Sequence, residues 1–295
     1  MSKKPGFLLL IVLVLLVAGA AFYWMKVHRA GEHPLHTTTA PVEKPPNAGP
    51  TATPSHLPAA SASGPKNESA AAEPGYSPRA GETLEYAANV TQLNSTIANL
   101  QLVVVEKRNF AGKSAWHLQA FAHTENPYRM VFELDDQFDS YSDANSMASL
   151  QYELHLNERG QKVDNVLRIL TSPNEPAPAD ATAARLLPGT RDPLGTLHYF
   201  RGVDWSKTAT VRLPVYDGRK LYDVRAVLVS TAEAVKVPAG NYVASKIELH
   251  VMDNGVEMKD THFLLYLAND AARTPVQMEA VLPFATAKVV LTRAK

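Results

Sequence analysis

Across residues 81–295 the apolar side chains recur at every second position, and that period excludes a helical bundle. Leu150, Tyr152, Leu154 and Leu156 alternate with Gln151, Glu153, His155 and Asn157, which sets one face of an extended segment in a core and the other in water. The same alternation runs through Leu100, Leu102 and Val104, through Trp116, Leu118 and Ala120, through Ala209, Val211, Leu213 and Val215, and through Val243, Ser245, Ile247, Leu249 and Val251. Half-buried strands of this kind pair antiparallel. Asp217-Gly218 and Asn254-Gly255 lie between strand patterns as two-residue hairpin signals, and Glu158-Arg159-Gly160 makes a slightly longer turn. The pattern predicts a mainly β fold, a large antiparallel sheet of roughly ten strands.

One segment departs from the period. Asp192 to Gly202 reads as a single short helix, with Asp192 as cap, Pro193 at the first helical position and Gly202 just past the end. Leu194, Leu197 and Arg201 share one face, so this helix is the local candidate to cover the buried side of the sheet. The proline-bearing stretch from Thr171 to Pro188 before it reads as irregular loop.

Five segments in order carry a family resemblance. Gly81-Glu82-Thr83-Leu84-Glu85-Tyr86 is similar to a G-E-x-L-x-Y first strand, and Phe138 to Asp143 to a strand end running into an aspartate loop. Asp192-Pro193-Leu194 through Tyr199-Phe200-Arg201 is similar to a D-P-L-x-x-L-x-Y-x-R helix, and Glu233 through Pro238-Ala239-Gly240-Asn241-Tyr242 to an E-x-V-x-x-P-A-G-x-Y strand pair. Leu264 to Leu267, Asp270 and Arg273-Thr274-Pro275-Val276 complete the set. Together they resemble the bacterial envelope domain family of unknown function DUF3108, over nearly all of residues 81–295. The resemblance implies a curved sheet, a half-barrel with the helix in or against its concavity, similar to lipoprotein carriers. It implies no catalytic residue and no cofactor.

The first 80 residues have a different composition. Phe7 to Trp24 carries no charge, with Lys3 and Lys4 before it and Lys26 and Arg29 after it. At ~1.5 Å per residue its helix would span roughly 27 Å, near the ~30 Å of a bilayer core. Residues 1–29 therefore read as a single-pass anchor in the inner membrane of a bacterium, with the lysines holding the N-terminus in the cytoplasm and the rest of the chain in the periplasm. The alternative is a cleaved signal, because Ala18-Gly19-Ala20 has the form of a processing site and would release the chain to the periplasm. Residues 30–80 hold ten of the chain's 21 prolines and read as a disordered linker, either a working spacer or passive low-complexity sequence.

The chain has no cysteine, which excludes disulfides, thiolate metal sites, a cysteine nucleophile and a lipid-anchored N-terminus. Its 29 basic and 29 acidic residues balance, and nucleic acid is not an expected partner. Gly112-Lys113-Ser114 lacks the preceding glycine and following helix of a phosphate loop, and there is no nucleophile elbow and no H-E-x-x-H pair. Asp135, Asp136, Asp139 and Asp143 lack the spacing of a calcium loop and read as a solvated strand end. His117, His155, His250 and His262 read as scattered surface residues. No metal site and no enzyme activity is expected.

The candidate ligand residues are Asp192, Tyr199 and Arg201 on the helix with Trp116 and Phe132. Asp192 and Arg201 are candidates to pair with each other or with loops, and Arg201 beside Tyr199 to meet an anionic headgroup. The structural alternative makes Asp192 a cap and Arg201 a charge favoured by the helix dipole. Gly81, Glu82, Tyr86, Asp143, Asp217, Gly218, Gly240 and Pro275 mark turns and family motifs. The functional expectation is a non-enzymatic, membrane-tethered envelope protein that binds a lipid or lipoprotein segment in its concavity. The alternative is a scaffold that binds an unknown protein partner by strand addition.

Overall fold

The computed structural model of the protein describes residues 76–295 apart from 92, 94, 173, 259–261 and 283–284. The anchor at 7–24 and linker residues 30–75 lie outside the described residues. Among the described residues, no helix is long and apolar enough to cross a membrane.

Among the described residues fourteen strands form one sheet: β1 (Thr83–Val90), β2 (Ser95–Phe110), β3 (Lys113–Thr124), β4 (Asp135–Asp143), β5 (Ser149–Glu158), β6 (Gln161–Leu170), β7 (Thr182–Arg185), β8 (Thr210–Tyr216), β9 (Leu221–Val237), β10 (Gly240–Asp253), β11 (Val256–Glu257), β12 (His262–Ala268), β13 (Pro275–Leu282) and β14 (Ala285–Ala294). Their order is β7-β6-β5-β4-β3-β2-β1-β14-β13-β12-β10-β9-β8, with β11 on the end of β10. Two meanders thus meet where β1 pairs antiparallel with β14. Among the described residues one α-helix, α1 (Pro193–Gly202), lies on the connection between the outer strands of the two meanders. Ahead of it, Arg191 bridges to Val215 of β8, bringing the two sheet edges toward each other.

The sheet exceeds the roughly ten strands that the alternation predicts, for a physical reason. β12 is buried at Phe263, Leu265, Tyr266, Leu267 and Ala268, so it lacks a wet face to alternate with. β7 and β11 are too short to show any period, and β7 joins β6 in parallel rather than antiparallel. The turns also shift: Arg159-Gly160 is the two-residue hairpin, with both residues at positive φ, and Asp217 to Lys220 is a four-residue turn.

The inner face of the sheet is filled by its own side chains. Leu118, Ala120, Phe138, Tyr152, Ala226, Ile247, Met278 and Val289 are each no more than 4% exposed, and they belong to one continuous apolar cluster with Leu194, Leu197 and Phe200 of α1. The helix is buried at all ten positions, not on one stripe. Gly195 explains how close it sits, since a β-carbon there would lie 2.8 Å from both the Met147 carbonyl oxygen and Ser142 Oγ. At the turn between β8 and β9, Gly218 has φ +93°, and a β-carbon there would lie 3.0 Å from Leu154 Cδ1 and 3.4 Å from Leu167 Cδ1. That close approach ties β9 to β5 and β6 across the interior.

Candidate functional site

Residues far apart in the sequence converge at one end of the sheet. The guanidinium of Arg201, 1% exposed, donates to both carboxylate oxygens of Glu82 at 2.8 and 2.6 Å and to the Ala272 carbonyl at 3.2 and 2.9 Å. The Tyr76 ring lies 4.4 Å from the Arg201 guanidinium, and its hydroxyl is 2.7 Å from His198 Nδ1. Tyr86 donates to the Pro275 carbonyl at 2.8 Å, and Gly81, at φ +86°, donates its N–H to Val104. Burial, helped by the Arg201 charge, holds His198 well below its ordinary pKa and hence neutral. Burial opposes the Arg201 charge and the Glu82 hydrogen bonds favour it, with a net upward shift.

Arg201 therefore pairs with Glu82, not with Asp192, and its donors are directed at groups of the protein itself. Tyr76 and Pro78, which the composition assigns to the linker, pack at this end. Gly202 is the last helical residue rather than the residue past the end, and Val203 caps in extended conformation. Side chains satisfy the last helical carbonyls instead of a glycine turn: Trp205 donates to Phe200 O at 3.0 Å, and Arg273 to Arg201 O at 3.1 Å and to Val203 O.

At the other end of α1, Asp192 Oδ1 accepts from the N–H groups of Leu194 and Gly195 at 2.8 and 2.9 Å. Its Oδ2 accepts from Ser140 at 2.6 Å and from Ser149. Burial pushes this carboxyl up against the pull of those hydrogen bonds. Tyr199 lies 3.9 Å under the guanidinium of Arg191, which donates to the Ser146 and Gly189 carbonyls. Asp143 holds the turn after β4 through Asn145 N and through Ser146 N and Oγ, and Asp217 holds its own turn through Arg219 N and Lys220 N. Gly240 opens β10 at φ +148°. Trp116 is buried near the start of β3, whereas Phe132 is half-buried in the loop beyond its end, under Arg159. Trp116 and Tyr199 belong to the one apolar cluster, and Phe132 packs against it.

The outer face holds what the sequence leaves scattered. β3, β4 and β5 are neighbours, so Gln119 faces Asp139 and Asp139 faces Glu153. Asp139 Oδ1 accepts from Gln119 at 2.7 Å and lies 2.6 Å from His117 Nε2, and its Oδ2 accepts from Gln137 at 2.8 Å. These bonds hold the Asp139 carboxyl below its usual range although burial, the largest single influence, opposes them. His155 stands between Asp164 and Glu153. One ligand atom each from Asp139, Glu153 and His155 lies within 4.8 Å of the others. The expected solvated acidic end is absent, because Asp136 and Asp139 are buried. His117, His155 and His250 are half-buried against carboxylates rather than free on the surface. Strand pairing brought these residues together, and the intervals along the chain carry no sign of it.

Asp136 points to the opposite face and accepts the Asn157 N–H at 2.9 Å. Burial raises it to about 7 against the pull of that bond. A carboxyl with a raised folded-state pKa favours folding when protonated, so this contribution is complete below pH ~4 and is lost as pH rises to about 7. Asp136→Asn should remove that slope and leave the variant about 1–3 kcal/mol more stable than the parent at pH 8. Urea denaturation at pH 5 and pH 8 checks this, and an unchanged pH slope would contradict it.

A cleft of about 340 Å³ opens where α1 leaves the sheet, lined among others by Asp204, Trp205, Thr231, Ser245, Asn269 and Arg273. It adjoins the outer half of β9. β8 pairs with β9 only up to Thr210 opposite Val227, and from Val229 to Ala234 that side of β9 meets no strand among the described residues.

No curated protein matches the chain. A β-barrel-like protein of the domain of unknown function DUF1849 from Brucella abortus is similar in structure at 9% identity, with 73% of this chain and 97% of that one covered and a TM-score of 0.45. A Bacteroides fragilis protein with a YmcC-like fold is similar at 11% identity, with 75% and 98% covered and a TM-score of 0.33. A family model described as a protein of unknown function, DUF3108, matches residues 85–292. That span runs from β1 into β14 and takes in Tyr86, Asp192, Arg201 and Pro275 of the two ends of α1, so the chain belongs to the DUF3108 family.

Proposed function

We propose that this chain is a non-catalytic interaction module of a bacterial cell envelope, held at the inner membrane by residues 7–24 and engaging an extended segment of a protein partner along β9. The observation that carries this reading is the edge from Val229 to Ala234, which no strand covers among the described residues and where the Thr231 carbonyl accepts from Asn269 Nδ2 at 2.8 Å. Val229 is 51% exposed, and the stretch has no proline and one charge, Glu233. An unpaired strand of this composition is a template for strand addition. The adjoining cleft, with Trp205 in its wall, offers a pocket for one side chain of the added segment. The filled inner face favours recognition at an edge over storage of a ligand within the sheet.

A photo-crosslinker placed at Thr231 in the full chain should give a discrete protein adduct in cells, with none from the same group at Lys162 on β6. Ala232→Pro should weaken the adduct about tenfold, a loss of ~1.4 kcal/mol. The Ala232 N–H donates to Ser230 Oγ and not to β10, so the proline spares the ladder. Equal crosslinking from both positions would overturn the reading. A lipid or lipoprotein segment inside the sheet is the second reading, favoured by the extended apolar cluster of the inner face beside α1. Solvent extraction of the purified chain tests it, with stoichiometric lipid as the supporting result.

A further inference from the structure

The outer face of β3, β4 and β5 carries an arrangement that neither strand addition nor lipid binding uses. Asp139 and Glu153 face each other directly across the ladder, a pairing of like charges that is unfavourable by itself. Among the described residues neither carboxylate is paired with an arginine or a lysine. Beside them His155 places Nδ1 2.7 Å from Asp164 Oδ1 and Nε2 3.3 Å from Glu153 Oε2. When Nδ1–H donates to Asp164, Nε2 turns a lone pair toward the two carboxylates. An imidazole nitrogen and two carboxylate oxygens within 4.8 Å of one another, with the second ring nitrogen held by a third carboxylate, match the ligands and outer shell of a transition-metal site.

The supporting shell is built. His117 and Gln119 hold Asp139 Oδ1, Gln137 holds Oδ2, and Gln151 donates to Glu153 Oε1 at 2.5 Å. The His117 ring is stacked on Tyr141 at 4.6 Å, and Tyr141 on Phe110 at 4.3 Å. The site is reached from solvent, since the Glu153 and His155 side chains are partly exposed.

We propose that Asp139, Glu153 and His155 bind one divalent transition-metal ion of the zinc class, with Asp164 fixing the tautomer of His155. The imidazole selects against calcium and magnesium, which take oxygen ligands. Three protein ligands leave a coordination position for water or for a group from a partner.

The test is titration of the full-length chain in detergent with Zn²⁺ alone, against a chromophoric chelator. One ion should bind per chain and survive excess Ca²⁺. Its affinity should fall by 100-fold or more in Glu153→Gln and His155→Gln, and by about 10- to 100-fold in Asp164→Asn. His33 and His36, a histidine pair three apart in the proline-rich stretch, are the competing ligands, and the double variant His33→Gln/His36→Gln should bind as the parent does. X-ray absorption of the zinc-loaded parent should show nitrogen and oxygen neighbours with a single imidazole, a readout that does not depend on how the variants fold. Absence of saturable binding, affinity unchanged in both Glu153→Gln and His155→Gln, or loss of the ion in the His33/His36 double variant would each overturn the proposal.

Discussion

Arg201→Met should destabilise the folded domain by about 3–5 kcal/mol, because it leaves the Glu82 carboxylate buried without its counter-charge. The Ala272 carbonyl loses its donors in the same substitution, and Tyr76 loses the cation under its ring. Adding Glu82→Gln to Arg201→Met removes the stranded charge and should recover more than half of the loss, since a missing pair costs far less than half a pair. Urea denaturation of the full-length chain followed by near-ultraviolet circular dichroism gives both values. An Arg201→Met variant within 1 kcal/mol of the parent would mean that the pair behaves as an exposed one, and would reopen Arg201 as a headgroup contact.

The second large effect is expected at the opposite end of the helix. Asp192→Ala strips acceptors from the N–H groups of Leu194 and Gly195 and from the hydroxyls of Ser140 and Ser149, all in a buried setting. A lost N-cap costs ~1 kcal/mol and a buried unsatisfied donor ~1–3 kcal/mol, so a total of about 2–4 kcal/mol is expected. Asp192→Asn should stay within ~1 kcal/mol of the parent, because its amide oxygen still accepts from the helix and the serine hydroxyls rotate to accept from its nitrogen. The same denaturation measurement separates the two. Equal losses in both variants would show that the charge of Asp192, and not its capping geometry, holds the helix.

These two residues show how far local sequence reaches. Asp192 is legible as a cap because capping is a contact between neighbours, set by an oxygen two and three residues before the N–H groups it receives. Pro193 at the first helical position belongs to the same local grammar. Arg201 is not legible in this way. Its dipole-favoured place at the end of α1 is visible, yet its partner Glu82 lies 119 positions away, and only the pairing of β1 with β2 and β14 brings that residue beneath the helix. Gly218 behaves similarly: its turn is announced by the dipeptide, but its contact with Leu154 and Leu167 comes from the closing of the sheet.

The family resemblance placed Gly81, Glu82 and Tyr86 in one segment and Arg201 and Pro275 in two others, without relating the three. In the fold they surround one buried ion pair, so much of the motif reads as the lock on a helix end. His117, Asp139, Glu153 and His155 stand apart from that motif. Each sits on an alternating strand where a polar residue is expected to face water, and nothing within one strand distinguishes a solvated histidine from one set against a carboxylate on the next.

By itself the sequence determined the mainly β character of the fold and the short helix with its N-terminal cap. These follow from period, composition and contacts between near neighbours, all of which are written in consecutive residues. Only the tertiary structure decided that the inner face is filled, that Arg201 is buried on Glu82, that β9 keeps an edge that no strand covers among the described residues, and that two histidines and two carboxylates share one outer face. Each of these depends on which strand lies beside which, and that order is fixed by burial summed over the whole sheet rather than by any one segment.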